Sequence, residues 1–182
     1  MRILIASDIH GALDSAIFIK EKALSLKPDI CLLLGDYLYH GPRNPLPISY
    51  TPQDVAEKLN ELQDITNLLA VRGNCDALVD ENLLSFPLEE EIHLEIDGLS
   101  ILAKHGHQYG RQPTFSWEKD NTIMLTGHLH VPHAEKRGHV YWWNPGSISL
   151  PKENSARSYG FYENGNFTVL DMEDKVILSH KP

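Results

Sequence analysis

Several short apolar runs in this chain end in turns that carry aspartate, asparagine or histidine. The residues in these turns are Asp8, His10, Asp36, Asn74, His105, His128 and His130. In open α/β folds, side chains that follow the strands meet at one rim of the sheet, so these seven donors would converge. Their mixture of imidazole, carboxylate and amide groups suits Mn²⁺, Fe²⁺ or Zn²⁺ better than a thiolate-rich structural site would. The pattern therefore predicts an α/β fold with a metal site at one sheet edge.

The first half of the chain alternates strand-like and helical patterns. Short apolar runs bounded by turn residues predict buried strands at Arg2–Ser7, Ile30–Gly35 and Leu68–Arg72. The helical pattern between the first two runs predicts a buried face that consists of Leu13, Ala16, Ile17, Ala23 and Leu24. Thr51, which precedes Pro52, is the predicted N-cap of a second helix. The order of these elements is βαβαβ.

The second half of the chain is rich in strand-like segments joined by turn residues. These segments are Ile92–Ile96, Leu99–Lys104, Ile123–Thr126, Val140–Trp143, Tyr159–Tyr162, Phe167–Asp171 and Val176–Leu178. The stretch between His133 and His139 is interpreted as a basic turn. Neighbouring strand residues point to opposite faces, so one of Trp142 and Trp143 would enter the core while the other lines the site or an interface. Two mixed β-sheets packed face to face, with helices outside, would account for both halves in a single domain over residues 1–182.

The composition argues against several classes of function. The formal net charge of −9 and the isoelectric point near 5.5 give no basic footprint for nucleic acid. The two cysteines, Cys31 and Cys75, cannot form a disulfide framework and fit a reducing compartment. The N-terminal apolar run reaches Asp8 too early for a signal peptide, and no later run approaches the roughly 18 apolar residues of a membrane span. We therefore expect a cytoplasmic protein that does not associate with membranes.

The turn sequences DIH, GD, GNCD, HGH and GHLH, in this order, resemble the motifs of the calcineurin-like metallophosphoesterases. The resemblance extends from Met1 to about Ser149, and the five motifs together are very specific. The small size, the GNCD variant and the loop sequence HGPRNPLP are most similar to the YfcE-type phosphodiesterase subgroup. The resemblance implies a four-layer α-β-β-α sandwich, in which helices flank two packed mixed β-sheets.

The family pattern implies a role for each of the seven donors. The first metal ion would bind Asp8, His10 and His130, the second would bind Asn74, His105 and His128, and Asp36 would bridge the two. The implied cofactors are two divalent metal ions, with Mn²⁺ as first choice and Zn²⁺, Fe²⁺ or Ni²⁺ as alternatives. A hydroxide that bridges the metals would attack phosphorus in line. The implied activity is that of a metal-dependent phosphoric diester hydrolase with a small phosphodiester substrate.

The candidate catalytic residues are Asp36, Asn74, Cys75 and His107. Cys75 stands where many larger relatives have a histidine that is thought to protonate the leaving oxygen, and an unperturbed thiol is a poorer acid at neutral pH. The chemistry would then use better leaving groups or another acid, for which His107 is the candidate. His107 as a solvent-facing loop residue and Cys75 as a metal ligand are the alternative interpretations.

The proline-containing stretch Tyr39–Tyr50 is long for a loop in a compact domain, and such loops often have a function. His40 and Arg43 in this loop are the candidate substrate-binding residues, since a guanidinium group matches the geometry of phosphate. The alternative interpretation is a proline-stiffened surface loop or a contact within a homo-oligomer.

Two other functions remain open for this sequence. One is a phosphomonoesterase, including a nucleotidase. The other is a non-catalytic, protein-binding scaffold of the same fold, because a retromer subunit that resembles these enzymes has this role and an altered metal site. Every ligand position of the family pattern is filled here, His10 and His105 included, which favours an enzyme.

Overall fold

The strands of this protein form two sheets, as seen in a computed structural model that describes residues 1–111, 114–115 and 118–182. The strands are β1 (Arg2–Ala6), β2 (Ile30–Leu33), β3 (Asn67–Ala70), β4 (Ile92–Ile96), β5 (Leu99–Lys104), β6 (Ile123–Thr126), β7 (Pro132–Arg137), β8 (Val140–Pro145), β9 (Ser158–Glu163), β10 (Asn166–Asp171) and β11 (Val176–His180). The helices are α1 (Leu13–Leu26) and α2 (Pro52–Asn60), and 3₁₀ turns occupy Glu61–Asp64 and Leu78–Asn82. The first sheet has the order β11-β10-β9-β1-β2-β3, and the second has the order β4-β5-β6-β8-β7.

The first sheet begins as the predicted βαβαβ unit. Strands β1, β2 and β3 are parallel neighbours, and α1 and α2 connect them. Strands β9, β10 and β11, from the end of the chain, extend the same sheet on the other side of β1 in antiparallel order. Strand β1 is therefore central and buried on both faces, which explains its continuous apolar run.

Helix α1 packs through a face that differs from the predicted one. Ala16 and Ala23 are buried as predicted, and Ile19 is buried with them. Ile17 and Leu24, which were assigned to the same face, are 38% and 51% exposed. Residues 16, 19 and 23 follow three- and four-residue spacing, whereas positions 17 and 24 lie about 100° further around the helix. The prediction was wrong for these two residues.

Helix α2 begins at Pro52, directly after Thr51, as predicted. The Thr51 hydroxyl does not cap the helix, because it donates instead to the carbonyl oxygen of Ser49 at 3.4 Å. Val55 and Leu59 are buried on the inner face of α2, which packs beside α1. The two helices together cover the outer face of the first sheet.

The second sheet contains one strand that the sequence interpretation missed. Pro132–Arg137, which was interpreted in part as a basic turn, is strand β7 and pairs antiparallel with β8 at the edge of the sheet. Only residues 138–139 form the turn to β8. An edge strand tolerates charged side chains, so its sequence shows little apolar alternation. The interpretation of this segment was wrong.

The two sheets pack face to face, as predicted. Trp143 of the second sheet lies between them and stacks on Phe167 of the first sheet, with 4.8 Å between ring centroids. Trp142 points to the opposite face, where it is buried and contacts both the His133 ring and the Arg137 guanidinium. The prediction that one of the tryptophans lines the site or an interface was therefore wrong, because both are only 1% exposed.

Different elements cover the outer faces of the two sheets. Helices α1 and α2 lie against the first sheet, whereas Tyr109 and Phe115, from the segment between β5 and β6, pack against Trp142 on the second sheet. The α/β class and the two mixed β-sheets agree with the prediction. No helix in the described part of the chain has the length and hydrophobicity that crossing a bilayer requires.

Candidate metal centre

The seven predicted ligands lie together at one edge of the sandwich. Strands β1, β2 and β3 are parallel in the first sheet, and β5 and β6 are parallel in the second. The turns that follow these five strands converge and bring together Asp8, His10, Asp36, Asn74, His105, His128 and His130. The shared direction of the strands is the reason that residues far apart in sequence meet here.

Five of these residues have a left-handed backbone. The φ angles are 57° at Asp8, 51° at His10, 60° at Asp36, 66° at His128 and 62° at His130. This conformation is uncommon for residues with a side chain and is found at functional sites at a cost of about 1–3 kcal/mol each. Backbone hydrogen bonds hold the first two turns together, from Asp8 N–H to Gly35 O at 3.1 Å and from His10 N–H to Asp36 O at 2.9 Å. The turns therefore aim these side chains at fixed positions.

Asp8, His10 and His130 form a first buried group. The distance from Asp8 Oδ1 to His130 Nε2 is 3.3 Å and that to His10 Nε2 is 3.8 Å. The two Nε2 atoms lie 3.2 Å apart. Three donor atoms from different side chains thus face one point, and each side chain is almost completely buried.

Asn74, His105 and His128 form a second group beside the first. His105 Nε2 lies 3.1 Å from Asn74 Oδ1, and the centroids of the His105 and His128 rings are 5.1 Å apart. Asp36 lies between the two groups, since its Oδ2 atom is 3.4 Å from His105 Nε2 and 3.6 Å from His10 Nε2. A single carboxylate oxygen therefore faces both groups.

Backbone carbonyl groups orient three of the histidine rings. The Nδ1 atoms of His10, His105 and His130 contact the carbonyl oxygens of Tyr39, Leu34 and Leu150, at 2.8 Å and 2.6 Å in the first two cases. A carbonyl oxygen can only accept, so each Nδ1 carries the proton and each Nε2 is free as a metal ligand in the neutral ring. Such outer contacts are typical of metal-binding histidines.

Asp8 provides a direct test of whether a cation fits the first group. Its Oδ2 atom accepts a hydrogen bond from His128 N–H at 3.1 Å. Its Oδ1 atom is fully buried and has no hydrogen-bond partner among the described residues. A buried, unsatisfied carboxylate oxygen costs roughly 1–3 kcal/mol or more. A divalent cation held by Asp8 Oδ1 and the two neighbouring Nε2 atoms would satisfy it, so the residues present fit a metal ion.

The electrostatic state of the histidines follows from burial and from the carboxylates. Burial opposes charge on His105, but the hydrogen bond and negative charge of Asp36 outweigh it and raise the pKa of His105 to about 9. Burial, and then the charge of His105, lowers the pKa of His128 to about 4. Burial also opposes charge on Asp8, yet the nearby histidines, His130 above all, lower the pKa of this carboxyl group. Binding of a cation would release the proton from His105, as is usual for metal ligands.

Asp76, which follows Cys75 in the GNCD motif, is a supporting residue that the sequence analysis did not single out. Its carboxylate accepts hydrogen bonds from the backbone N–H groups of Asp36, Tyr37 and Gly73 at 2.8, 2.7 and 2.6 Å. Burial and the charge of Asp36 raise its pKa to about 6 despite these bonds. Gly73 is required because a Cβ atom there would overlap Asp36. The only indication of this role in the sequence was that Asp76 is the final residue of the GNCD motif.

Two serines after β8 also support the site and were missed. The hydroxyl groups of Ser147 and Ser149 both donate to the carbonyl oxygen of Asp8, at 2.9 and 2.7 Å. These bonds fix the strained turn that carries Asp8. The only signal in the sequence was the position of NPGSIS just after a strand-like run, which does not reveal a partner about 140 residues away.

An open cleft of about 320 Å³ lies next to the two groups. Its lining residues are Asp36, Gly41, Pro42, Arg43, Asn44, Asn74, Cys75, Gly110, Arg111, His128, Leu129, His130 and Lys152. Arg43 was predicted from the sequence to bind substrate, whereas Arg111 and Lys152 were not identified. His40 packs edge-on against the rings of Tyr39 and Tyr50 and is not one of the lining residues.

Cys75 and His107 both lie near the second group, beside different members of it. Cys75 N–H donates to Asp36 Oδ1 at 2.8 Å, and Asn74 Nδ2 donates to Cys75 Sγ at 3.3 Å. Burial and the charge of Asp36 raise the pKa of the Cys75 thiol to about 12. The exposed His107 ring lies 5.8 Å from the His105 ring and 6.2 Å from the His128 ring. Cys75 also meets His10 and Asp36 closely enough to share a cation with them.

Comparison with known proteins agrees with this architecture. Residues 1–166 match the sequence profile of the calcineurin-like phosphoesterase superfamily domain. The chain belongs to this superfamily, and the predicted family is confirmed. Binding of divalent metal ions is a property of the family, and the donor groups described above are candidates to provide it.

The similarity to individual relatives extends over almost the whole chain. The chain is 39% identical to phosphodiesterase YfcE of Escherichia coli (strain K12), with 98% of this chain and 96% of that protein covered. It is 26% identical to the probable metallophosphoesterase YsnB of Bacillus subtilis (strain 168), with 98% and 100% covered. The solved structure of YfcE, described as a phosphoesterase from E. coli, has a TM-score of 0.92 and 36% identity over 99% of this chain and 98% of that chain.

Proposed function

We propose that this chain is a dinuclear metal-dependent phosphodiesterase. The position of Asp36 carries the proposal, because its Oδ2 atom lies 3.6 Å from His10 Nε2 in the first group and 3.4 Å from His105 Nε2 in the second. A carboxylate between two sets of donors is what a pair of cations about 3.5–4 Å apart requires. The E. coli relative, which is named a phosphodiesterase, supports the same activity.

The proposed cofactors are two Mn²⁺ ions, with Zn²⁺, Fe²⁺ or Ni²⁺ as alternatives. Asp8, His10 and His130 would hold one ion, Asn74, His105 and His128 would hold the other, and Asp36 would contact both. When bound, such ions make hydroxide available near neutral pH and neutralise charge on the phosphoryl oxygens. The unsatisfied Asp8 Oδ1 atom and the orientation of the Nε2 atoms support this assignment.

The residues of the chain contribute positioning. The hydrogen bond from Cys75 N–H holds Asp36 Oδ1, which leaves Oδ2 directed at the two groups of histidines. The proposed reaction is hydrolysis by in-line attack: a hydroxide oxygen forms a bond to phosphorus while the bond to one alcohol oxygen breaks. That alcohol oxygen leaves with the electron pair and takes up a proton, and the product is a phosphomonoester of the other alcohol. Fixed geometry accounts for much of the rate enhancement in such reactions.

The source of the proton for the leaving oxygen is a separate question. The sequence predicts Cys75 or His107 as the donor of this proton, and both assignments stay predictions. A p-nitrophenolate leaving group needs little help from an acid, so substrates with this group test the metal-dependent step independently of the proton donor.

The first experiment measures hydrolysis of bis(p-nitrophenyl) phosphate by metal-stripped protein, with and without added Mn²⁺, beside p-nitrophenyl phosphate. We expect Mn²⁺-dependent turnover of the diester and little cleavage of the monoester. Asp36→Asn should reduce kcat/KM for the diester by about 100-fold or more, because it removes a charge that acts on both groups. The exposed Asp120→Asn, which changes the same chemical group on the segment that precedes β6, should not reduce it.

The other outcomes identify the alternative functions. Preferential turnover of the monoester would favour a phosphomonoesterase. No turnover with any divalent metal would favour a protein-binding scaffold of the same fold. Undiminished turnover by Asp36→Asn would refute the dinuclear assignment while leaving the family unchanged.

The proposed environment of the enzyme is the cytoplasm. Cys31 and Cys75 are free thiols, which supports a reducing compartment. The absence of nucleic-acid binding and the existence of a homo-oligomer both stay predictions from the sequence.

A further inference from the structure

Three cationic side chains line the cleft beside the candidate metal centre. Arg43 comes from the loop between β2 and α2, Arg111 from the segment after β5, and Lys152 from the segment between β8 and β9. The chain as a whole has a formal net charge of −9. The cleft is therefore a local reversal of the overall charge, of the kind that concentrates an anionic ligand.

Two of these cations have no acidic partner. Among residues 1–111, 114–115 and 118–182, no carboxylate pairs with the Arg43 guanidinium or the Lys152 ammonium group. Arg111 differs, since its Nη1 atom donates to Glu153 Oε1 at 3.0 Å in an exposed ion pair. Asp36 is the only acidic residue among the described residues that line the cleft. Arg43 and Lys152 are therefore available to an anion.

Both of these residues are attached to ordered turns next to the metal centre. Asn44 Nδ2 donates to His40 O at 2.9 Å and closes the turn that carries Arg43. Lys152 N–H donates to the carbonyl oxygen of His130 at 3.1 Å, so its backbone is bound to a residue of the first group. The backbone segments that carry these two side chains are therefore held next to the metal centre.

A phosphodiester group by itself does not require these cations. The Asp8 and Asp36 carboxylates offset two of the four positive charges that two divalent cations would bring. The single charge of a diester and the charge of the attacking hydroxide offset the other two. The positive charges of Arg43 and Lys152 are then left over, and they remain available to attract negative charge elsewhere in the substrate.

We propose that Arg43 and Lys152 form a second anion-binding subsite. The substrate is then a small phosphodiester in which one of the two esterified alcohols, called the arm, carries a further anionic group, either a phosphomonoester or a carboxylate. The proposal rests on the proposed phosphodiesterase function and specifies its substrate class. The cleft volume of about 320 Å³ is at the small end of ligand sites, which fits a small molecule better than a polymer. Arg43 offers a planar fork and Lys152 a point charge to the second anion.

The test uses four phosphodiesters that share a p-nitrophenol leaving group and differ in the other alcohol. The alcohols are glycerol, glyceric acid, glycerol 3-phosphate and choline, so the arm is neutral, carboxylate, phosphomonoester or cationic. With Mn²⁺-loaded protein, we expect kcat/KM for one or both anionic arms to exceed that for glycerol by about tenfold or more, and that for choline to be lowest. Comparison of the two anionic arms identifies which group the subsite takes. The preference should shrink at high salt.

Charge-removing variants connect this preference to the two residues. In Arg43→Gln/Lys152→Gln, the ratio of kcat/KM between the preferred anionic arm and glycerol should fall to about threefold or less, whereas Arg43→Lys should keep part of the preference. The control is Lys119→Gln/Lys181→Gln, which removes the same charge before β6 and after β11, at positions that are not among the residues lining the cleft. The control should keep the full ratio. All these positions are exposed, and thermal unfolding verifies that each variant is folded.

The results separate this proposal from the proposed function. Hydrolysis of bis(p-nitrophenyl) phosphate without any preference for an anionic arm would overturn the subsite and leave the phosphodiesterase function standing. A preference that survives in the double variant, or that disappears equally in the control, would also overturn it. No hydrolysis of any of the diesters would overturn the phosphodiesterase function and the subsite with it.

Discussion

Asp8→Asn is the most direct perturbation of the candidate metal centre, because it changes charge and ligation at almost constant shape. The substituted side chain can still accept the hydrogen bond from His128 N–H with its amide oxygen. It replaces the unsatisfied, buried Oδ1 atom with an NH₂ group, which cannot bind a cation. The expected effect is therefore on metal binding rather than on the fold.

The magnitude follows from linkage between binding and folding. At a Mn²⁺ concentration about 100 times the dissociation constant, one bound ion stabilises the native wild-type protein by about 2.7 kcal/mol. For a chain of this size, each kcal/mol raises the Tm by about 2–4 °C, so we expect an increase of about 5–11 °C. If Asp8→Asn weakens binding about 100-fold, the same Mn²⁺ concentration stabilises the variant by only about 0.4 kcal/mol, which is about 1–2 °C.

The assay is thermal unfolding of metal-stripped protein, followed by circular dichroism, across a series of Mn²⁺ concentrations. The matched control is Asp120→Asn, an exposed aspartate that precedes β6, which should show the wild-type increase in Tm. An Asp8→Asn protein whose Tm rises with Mn²⁺ as much as that of the wild type would refute the assignment of Asp8 as a ligand. Metal content measured on the same samples excludes incomplete stripping as the cause.

Two further predictions concern stability. Trp143→Ala should lower the free energy of unfolding by about 3–5 kcal/mol in urea titrations, because Trp143 is buried between the sheets and stacks on Phe167. The control Val176→Ala, at an exposed position, should change the free energy of unfolding by less than about 0.5 kcal/mol. Burial disfavours charge on Asp14, but hydrogen bonds from Ser49 and Arg157 outweigh it and lower the pKa of this carboxyl group. The ionised form therefore stabilises the fold above the unfolded pKa of 3.8, and this contribution is lost as the pH falls through the lower folded value. Asp14→Asn should lower the free energy of unfolding by the same amount at pH 7 and at pH 5, and the gap between variant and wild type should shrink below pH 3.8. A gap that stays constant down to pH 2 would contradict the argument.

The candidate ligands could be predicted from the sequence because each is a local feature. Asp8, Asp36 and His105 come shortly after apolar runs that are typical of buried strands, and parallel strands end at the same edge of a sheet. The residues that support them could not be predicted in the same way. Asp76 and Ser147 act on the backbone of Asp36 and Asp8, which are 40 and 139 residues away, and no spacing rule connects such pairs.

Strand β7 and the buried face of α1 illustrate the limits of local pattern. Pro132–Arg137 becomes a strand because β8 offers it hydrogen bonds at a sheet edge, although its own residues are mostly polar. In α1, both Ile17 and Ile19 are apolar, and which of them is buried depends on where the sheet lies. Pattern alone therefore identified the helix but not its orientation about its own axis.

The sequence by itself determined most of the strands, the two helices and the chemical types of the donors, because backbone sterics and hydrophobic periodicity act over a few residues. Only the tertiary structure decided that β9, β10 and β11 return to the first sheet beside β1. The packing of the two sheets placed Asp36 between two groups of donors and brought Arg43 and Lys152 to one cleft. These arrangements depend on contacts between distant segments, whose geometry is set by how the two sheets pack and not by the residues next to them in the chain.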